Sequence, residues 1–106
     1  MYRVIKFPKI LVFEWDGGNL DKSYEKHGVT PKEAEEIFVS EELFVLPDIK
    51  HSKSEKRFIA LGVTQDDKNL FVIFTPRKGK IRIVSARRMH KKEVVKYEKA
   101  KKDSTL

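Results

Sequence analysis

Arginine recurs in this chain where phosphate chemistry would need it. Along Lys80-Ile81-Arg82-Ile83-Val84-Ser85-Ala86-Arg87-Arg88, a period-2 strand points Ile81 and Ile83 to one side and Arg82 to the other, and it delivers Arg87 and Arg88 to its C-terminal end. Planar guanidinium forks bind phosphate oxygens bidentately, so their clustering at a strand terminus points to a phosphate-rich partner. Plain solvation of a basic strand is the competing reading. Glu55 and Arg57 flank the start of another strand. They are either an ordinary local ion pair or, in a phosphodiester-cleaving site, a pair that orients a nucleophile and neutralises the phosphate.

His27, beside Lys26, also has two readings: a helix-end histidine stabilised by the helix dipole, or a group for proton transfer near neutral pH. His51 lies in a polar loop with Asp48, Ser52 and Glu55, where exposure is the default. The three histidines, with His90, lie 24 and 39 residues apart and form no His-x3-His pair, so no metal site is expected. No glycine-rich phosphate loop and no Ser-His-Asp signature occurs. Trp15, Phe44 and Tyr97 sit at apolar positions and read as core before they read as base-stacking platforms.

The charge is strongly polar along the chain. Arg77 to Lys102 holds twelve Lys or Arg against Glu93 and Glu98, an excess of ten, whereas the net charge of the whole is +7 and the remainder therefore carries −3. A basic C-terminal third on a mildly acidic body favours nucleic acid or an acidic protein over a small neutral ligand. Cysteine is absent, which removes disulfides, thiolate metal sites and a cysteine nucleophile. Charge interrupts every apolar run of the N-terminus and no run approaches spanning length, so the reading is one soluble cytoplasmic domain over residues 1–106, with no membrane partner.

The elements that must position these groups follow from periodicity. Leu11 to Trp15 is an expected strand, and Met1 to Ile10 an extra edge strand or an arm. A short helix is expected from Asn19 to His27, ended by Gly28. Thr30-Pro31-Lys32-Glu33 has the pattern of a capping box with proline at the first helical position, so a second helix starts there and buries Ala34, Ile37 and Phe38. Leu43 to Leu46, Arg57 to Val63, Leu70 to Thr75 and the arginine strand follow, the last three as an antiparallel meander. Leu70 to Phe74, apolar on both faces, should be central and covered on both sides, or have its second face covered by another molecule. A C-terminal helix from His90 to about Lys101, anchored by Val94 and Tyr97, precedes a frayed 103–106 tail. The fold class is α+β: an antiparallel sheet packed with two short N-terminal helices and a C-terminal one.

Through Phe13-Glu14-Trp15-Asp16, Lys26-His27-Gly28-Val29, Glu33 to Phe38, Pro47-Asp48, His51-Ser52, Glu55-Lys56-Arg57, Leu61-Gly62 and Ile81 to Arg87, closing at Glu93 and Tyr97, the sequence resembles the BrnT family of type II toxins, a branch of the RelE-like ribonuclease toxins. The resemblance implies a RelE-like domain that cleaves RNA without a cofactor. It also implies a cognate BrnA-type antitoxin, a small DNA-binding protein through which the complex contacts operator DNA. Ser23 stands where members often have Asn. His90 stands where they have Ser, Thr or Asn, and imidazole is not a preferred capping side chain.

Metal-free RNA cleavage needs a base for the 2′-hydroxyl, cations on the phosphate and a proton for the leaving oxygen. With the resemblance in hand, Arg57, Arg82 and Arg87 are expected on the scissile phosphate and Lys26 and His27 near enough for proton transfer. His51 and Glu55 are the second choice of acid and base, and Arg88, Lys91 and Lys92 are expected to bind RNA. Strand parity gives Arg57 the face of Ile59, Leu61 and Val63, which sets it at the strand's open end rather than on a cleft face unless the strand bulges or starts at Phe58. A non-catalytic basic module that binds nucleic acid or antitoxin is the alternative.

Overall fold

A computed structural model describes residues 3–4, 11–15, 27–51 and 54–104. Six strands form one sheet: β1 (Arg3–Val4), β2 (Phe13–Trp15), β3 (Phe44–Pro47), β4 (Phe58–Val63), β5 (Asn69–Arg77) and β6 (Lys80–Arg88), in the spatial order β1-β3-β4-β5-β6-β2. The described residues carry two α-helices, α1 (Pro31–Glu36) and α2 (Lys91–Ser104). The helix expected from Asn19 lies outside the described residues except for its end, where His27 is helical and Gly28 takes the left-handed φ of +67° that only glycine adopts freely.

The centre of the sheet is the expected meander, widened by β3 to four strands. The sheet as a whole is mixed rather than purely antiparallel, because β2 pairs parallel with β6, Glu14 lying beside Arg82. Turn signals fix only partners that follow each other in sequence, and these two strands are far apart in the chain. β5 also outruns its expected end. It continues through Pro76 to Arg77, and the hairpin closes on Lys78 and Gly79, both at positive φ (50° and 77°), as a two-residue turn matched to the strand twist requires.

Alternation divides the side chains between two layers. One face carries Val45, Ala60, Leu70, Val72, Phe74, Ile81, Ile83 and Ala86. It is sealed by α1 and by the 3-10 turn Ile37–Val39, from which Ile37 and Phe38 are buried. Phe38 meets Phe13 and Phe74 edge-on at 5.6 and 5.1 Å. The expected capping box is present: Thr30 Oγ1 accepts from the Glu33 N–H (3.1 Å), and Glu33 Oε1 accepts from the Thr30 N–H (2.9 Å). Lys68 pairs with Glu33 at 2.7 Å, and Trp15 donates to Glu35 at 3.0 Å, which ties the layer to the β4–β5 loop and to β2.

At Gly62 this layer packs directly against the sheet backbone. A Cβ there would stand 2.7 Å from Ile37 Cβ, a contact that requires backbone displacement. Gly62→Ala should therefore cost about 1–3 kcal/mol, read as a lowered urea midpoint with unchanged m-value.

The opposite face carries Phe44, Leu61 and Phe71, and α2 covers it with Tyr97, Val94 and Ala100. Tyr97 and Phe44, expected as core, are both buried. β5 is thus covered on one side from Leu70 to Phe74, while on the other Phe71 and Ile73 are half-buried and Thr75 is buried, with Leu46 and Ile59 packed at the edge of the α2 cluster.

Candidate functional site

The half-covered face is where the arginines gather. Registers place Leu46, Ile59, Ile73 and Ser85 in one row across β3 to β6. In the next row Thr75 lies beside Arg82, and Arg82 beside Glu14. Arg57 precedes β4 by one residue, but its carbonyl still accepts from the Asp48 N–H at 2.9 Å, and Thr75 Oγ1 donates to the Lys56 carbonyl at 2.7 Å. The ladder geometry therefore continues, and alternation carries Arg57 into the Thr75–Arg82 row. Arg57 and Arg82 flank Thr75 across two strand spacings, about 10 Å between Cα atoms, a gap that two arginine side chains can close over one phosphate.

Arg87 reaches this face through a bulge. The β5–β6 register shifts between Ile73, opposite Ser85, and Phe74, opposite Ile83, leaving Val84 as the extra residue. Unbroken alternation from Arg82 would have brought Arg88 to this face and buried Arg87. Instead Ala86 is buried with Ile81 and Ile83, Arg87 lies over the Phe71 ring at 3.9 Å, and Arg88, exposed, goes to the other side.

By register Arg87 is four β5 residues from the Thr75 row, about 13 Å along the strand. Its Nη1 and Nη2 donate to the two carboxylate oxygens of Glu93 at 2.8 and 2.9 Å, and Nη1 also donates to the Arg88 carbonyl at 3.0 Å. Glu93 Oε1 further accepts from the His90 N–H at 2.6 Å. That contact supplies the returning half of a capping box, so the first turn of α2 is closed by Glu93 although His90 is a poor cap.

Burial opposes the charge on Glu93, but the hydrogen bonds from Arg87 and the His90 backbone outweigh it and hold the carboxyl below its ordinary value. A depressed carboxyl contributes stability that is full above its unfolded value of 4.5 and is lost as pH falls through the folded one. Glu93→Gln should cost about 1–2 kcal/mol at neutral pH. Urea titrations at stepped pH should show the two proteins converging below pH 4.5.

The other expected groups are spread out. His27 is exposed, two residues before Val29, which is buried in the layer on the far side of the sheet from the arginine row. Among the described contacts none joins it to Arg57, Arg82 or Arg87. Lys26 lies outside the described residues. His51 closes the 3-10 turn Ile49–His51, its side chain again outside them. Glu55 is near the row, its Oε1 3.9 Å from Arg57 Nη2. Lys91 and Lys92 are exposed in the first turn of α2.

Sequence reading missed Arg77, Lys80 and Glu14. Arg77 pairs with Lys80 one row beyond Arg82 on the same face, and Lys80 Nζ lies 3.5 Å from Glu14 Oε1. Counting back by two from Arg82 finds Lys80, and the hairpin then finds Arg77. Glu14 had no such signal, because its placement depends on the parallel pairing.

Two rows of cations at the end of an open sheet face make a surface for a polyanion. A family model described as the ribonuclease toxin BrnT of a type II toxin-antitoxin system matches residues 15–93. The chain belongs to the BrnT family. The matched span runs from Trp15 in β2 to Glu93 in α2, and so takes in Arg57, Arg82 and Arg87 together with the carboxylate that holds Arg87. The chain is accordingly a ribonuclease toxin of a type II toxin-antitoxin system, which implies an RNA substrate and an antitoxin partner. No curated protein matches it. Among the described residues no helix is long and apolar enough to cross a membrane.

Proposed function

We propose that this BrnT-family protein is a metal-independent endoribonuclease of the cytoplasm, and that RNA lies across the open half of the sheet with its scissile phosphate between Arg57 and Arg82. The observation that carries this is the Arg57–Thr75–Arg82 row, at the end of the sheet face whose other end α2 covers. Guanidinium groups fixed on strands are already oriented for the charge of a pentacovalent phosphate, so they stabilise it without reorganising. Glu55, beside Arg57, takes the proton of the 2′-hydroxyl. The 2′-oxygen attacks phosphorus, the bond to the 5′-oxygen breaks, and that oxygen receives a proton from Lys26 or His51. Arg87 serves from a distance. It holds the start of α2 through Glu93 and, with Lys91 and Lys92, adds to the field felt by flanking phosphates. Arg88 contributes from the other side of the sheet.

The antitoxin in this reading is of the BrnA type, and operator DNA is bound through it. An acidic amphipathic segment suits the same open face, carboxylates on the arginines and apolar side chains on Leu46, Ile59 and Ile73. Co-expression with the adjacent small open reading frame should give a complex that co-purifies.

Incubation of the purified protein with single-stranded RNA in EDTA decides the enzymatic part. Fragments ending in 2′,3′-cyclic phosphate and 5′-hydroxyl are expected. Intact RNA that is bound in a salt-sensitive manner would leave the alternative, a non-catalytic basic module.

A further inference from the structure

Beside Arg57 the sheet ends in a cavity of about 340 Å³ lined by Pro47, Ile49, Lys56, Arg57 and Phe58. Its walls and its rim differ in chemistry. Pro47 and Phe58 pair across β3 and β4, and Ile49, in the 3-10 turn that follows, is 82% exposed. One exposed isoleucine is ordinary on any surface. Here it faces a cavity with a proline and an aromatic ring, and both cations of the lining lie next to each other in sequence. The volume is at the small end of the roughly 300–1,000 Å³ typical of small-molecule sites, which suits a single planar group rather than a long ligand.

We infer that this cavity is a nucleobase subsite, taking one unstacked base of the RNA whose phosphate is held by Arg57. The inference rests on the placement of the RNA proposed above and adds to it the feature that reads a base. Sequence-selective proteins bind single-stranded RNA by splaying a base out against aromatic and apolar side chains, and Phe58 is fixed for such contact by stacking on Phe74 at 5.7 Å. Lys56 and Arg57 supply the positive charge that balances the phosphate a base brings with it. The occupant is therefore a nucleotide unit of the substrate, and Ile49 and Phe58 are the residues that set which base is accepted.

Binding of uncleavable RNA tests this apart from catalysis. Single-stranded heptamers with 2′-O-methyl riboses, each carrying one abasic residue at a different position, are titrated by fluorescence anisotropy against the wild-type protein and Ile49→Ser. Ile49 is too exposed to support the core, so the variant folds. One position is expected at which losing the base weakens wild-type binding about tenfold, and at that position the penalty should vanish in Ile49→Ser, as in a double-mutant cycle. Equal penalties at every position, or a penalty unchanged in the variant, would overturn the subsite while leaving the sheet-face reading intact. Affinity for none of the heptamers would overturn both. Should the base-dependent position appear in a protein that cuts no native RNA, the subsite stands and the catalytic reading falls. Protection of Ile49 by the antitoxin with none by RNA would assign the cavity to the protein partner and overturn it.

Discussion

Replacing Arg82 by Ala should lower the rate of RNA cleavage by about 10²–10³-fold while changing the stability of the fold by less than about 1 kcal/mol. The loss is large because a fixed cation opposite the developing phosphate charge acts in the transition state, where water would have to reorganise to replace it. The stability change is small because Arg82 is on the half-covered face and β6 is held by Ile81 and Ile83, buried on the other. Arg57→Ala should lower cleavage to the same extent, and the loss of its Glu55 contact, long at 3.9 Å and between partly exposed side chains, should contribute little to any change in stability. If that pair were structural instead, Arg57→Ala would lower the unfolding midpoint and leave cleavage by the remaining folded protein unchanged. Arg88→Ala is the internal control. It is adjacent to Arg87 in sequence but on the far side of the bulged strand, so cleavage should fall no more than a few-fold. Single-turnover rates on one RNA, alongside urea unfolding of each variant, separate these outcomes.

The largest effect on stability is expected at Tyr97. Its side chain is fully buried and meets Phe44 edge-on at 5.7 Å, and its hydroxyl donates to the Glu42 carbonyl at 2.7 Å. Burial, with Glu42 and Glu98 nearby, pushes the phenol above its ordinary value, so it remains a neutral donor well into alkaline pH. Lys101 reaches over the ring at 4.8 Å and pairs with Glu42 at 3.4 Å. Tyr97→Ala should cost about 3–5 kcal/mol, a large share of the roughly 5–15 kcal/mol that holds a domain folded. α2 would then loosen from Phe44, Leu61 and Met89. Tyr97→Phe keeps the packing and should cost about 1 kcal/mol, the worth of one hydrogen bond. Urea midpoints measure both. A cost below about 1 kcal/mol for the alanine variant would mean that α2 is not part of the folding unit.

The sequence made some of this legible and hid the rest for physical reasons. The Thr30 capping box, the Gly28 cap and the strands from Arg57 to Arg88 could be read because each is set by neighbours a few residues away. So could the doubly apolar β5, although how far α2 would cover its second face could not. The parallel pairing of β2 with β6 is set by packing between distant segments, and with it went the placement of Glu14. The bulge at Val84 is a local irregularity with no composition signal, yet it decides which of two adjacent arginines joins Arg82. The grip of Glu93 on Arg87 depends on that bulge and on the angle at which α2 leaves the sheet, so Arg87 could be read as a phosphate ligand but not as the anchor of a helix. Parity alone did place Arg57 on the face of Ile59, and the continuing ladder extends that face to include it.

The central claim is that RNA phosphate is held by the Arg57–Arg82 row on the open sheet face. Its most direct test is the side-chain N–H spectrum of the arginines as an uncleavable single-stranded RNA is added. Arg57 and Arg82 should show the largest shifts, Arg87 a smaller one while its Glu93 pair persists, and Arg88 little. The largest shifts at Arg88, with Arg57 and Arg82 unmoved at saturation, would contradict it.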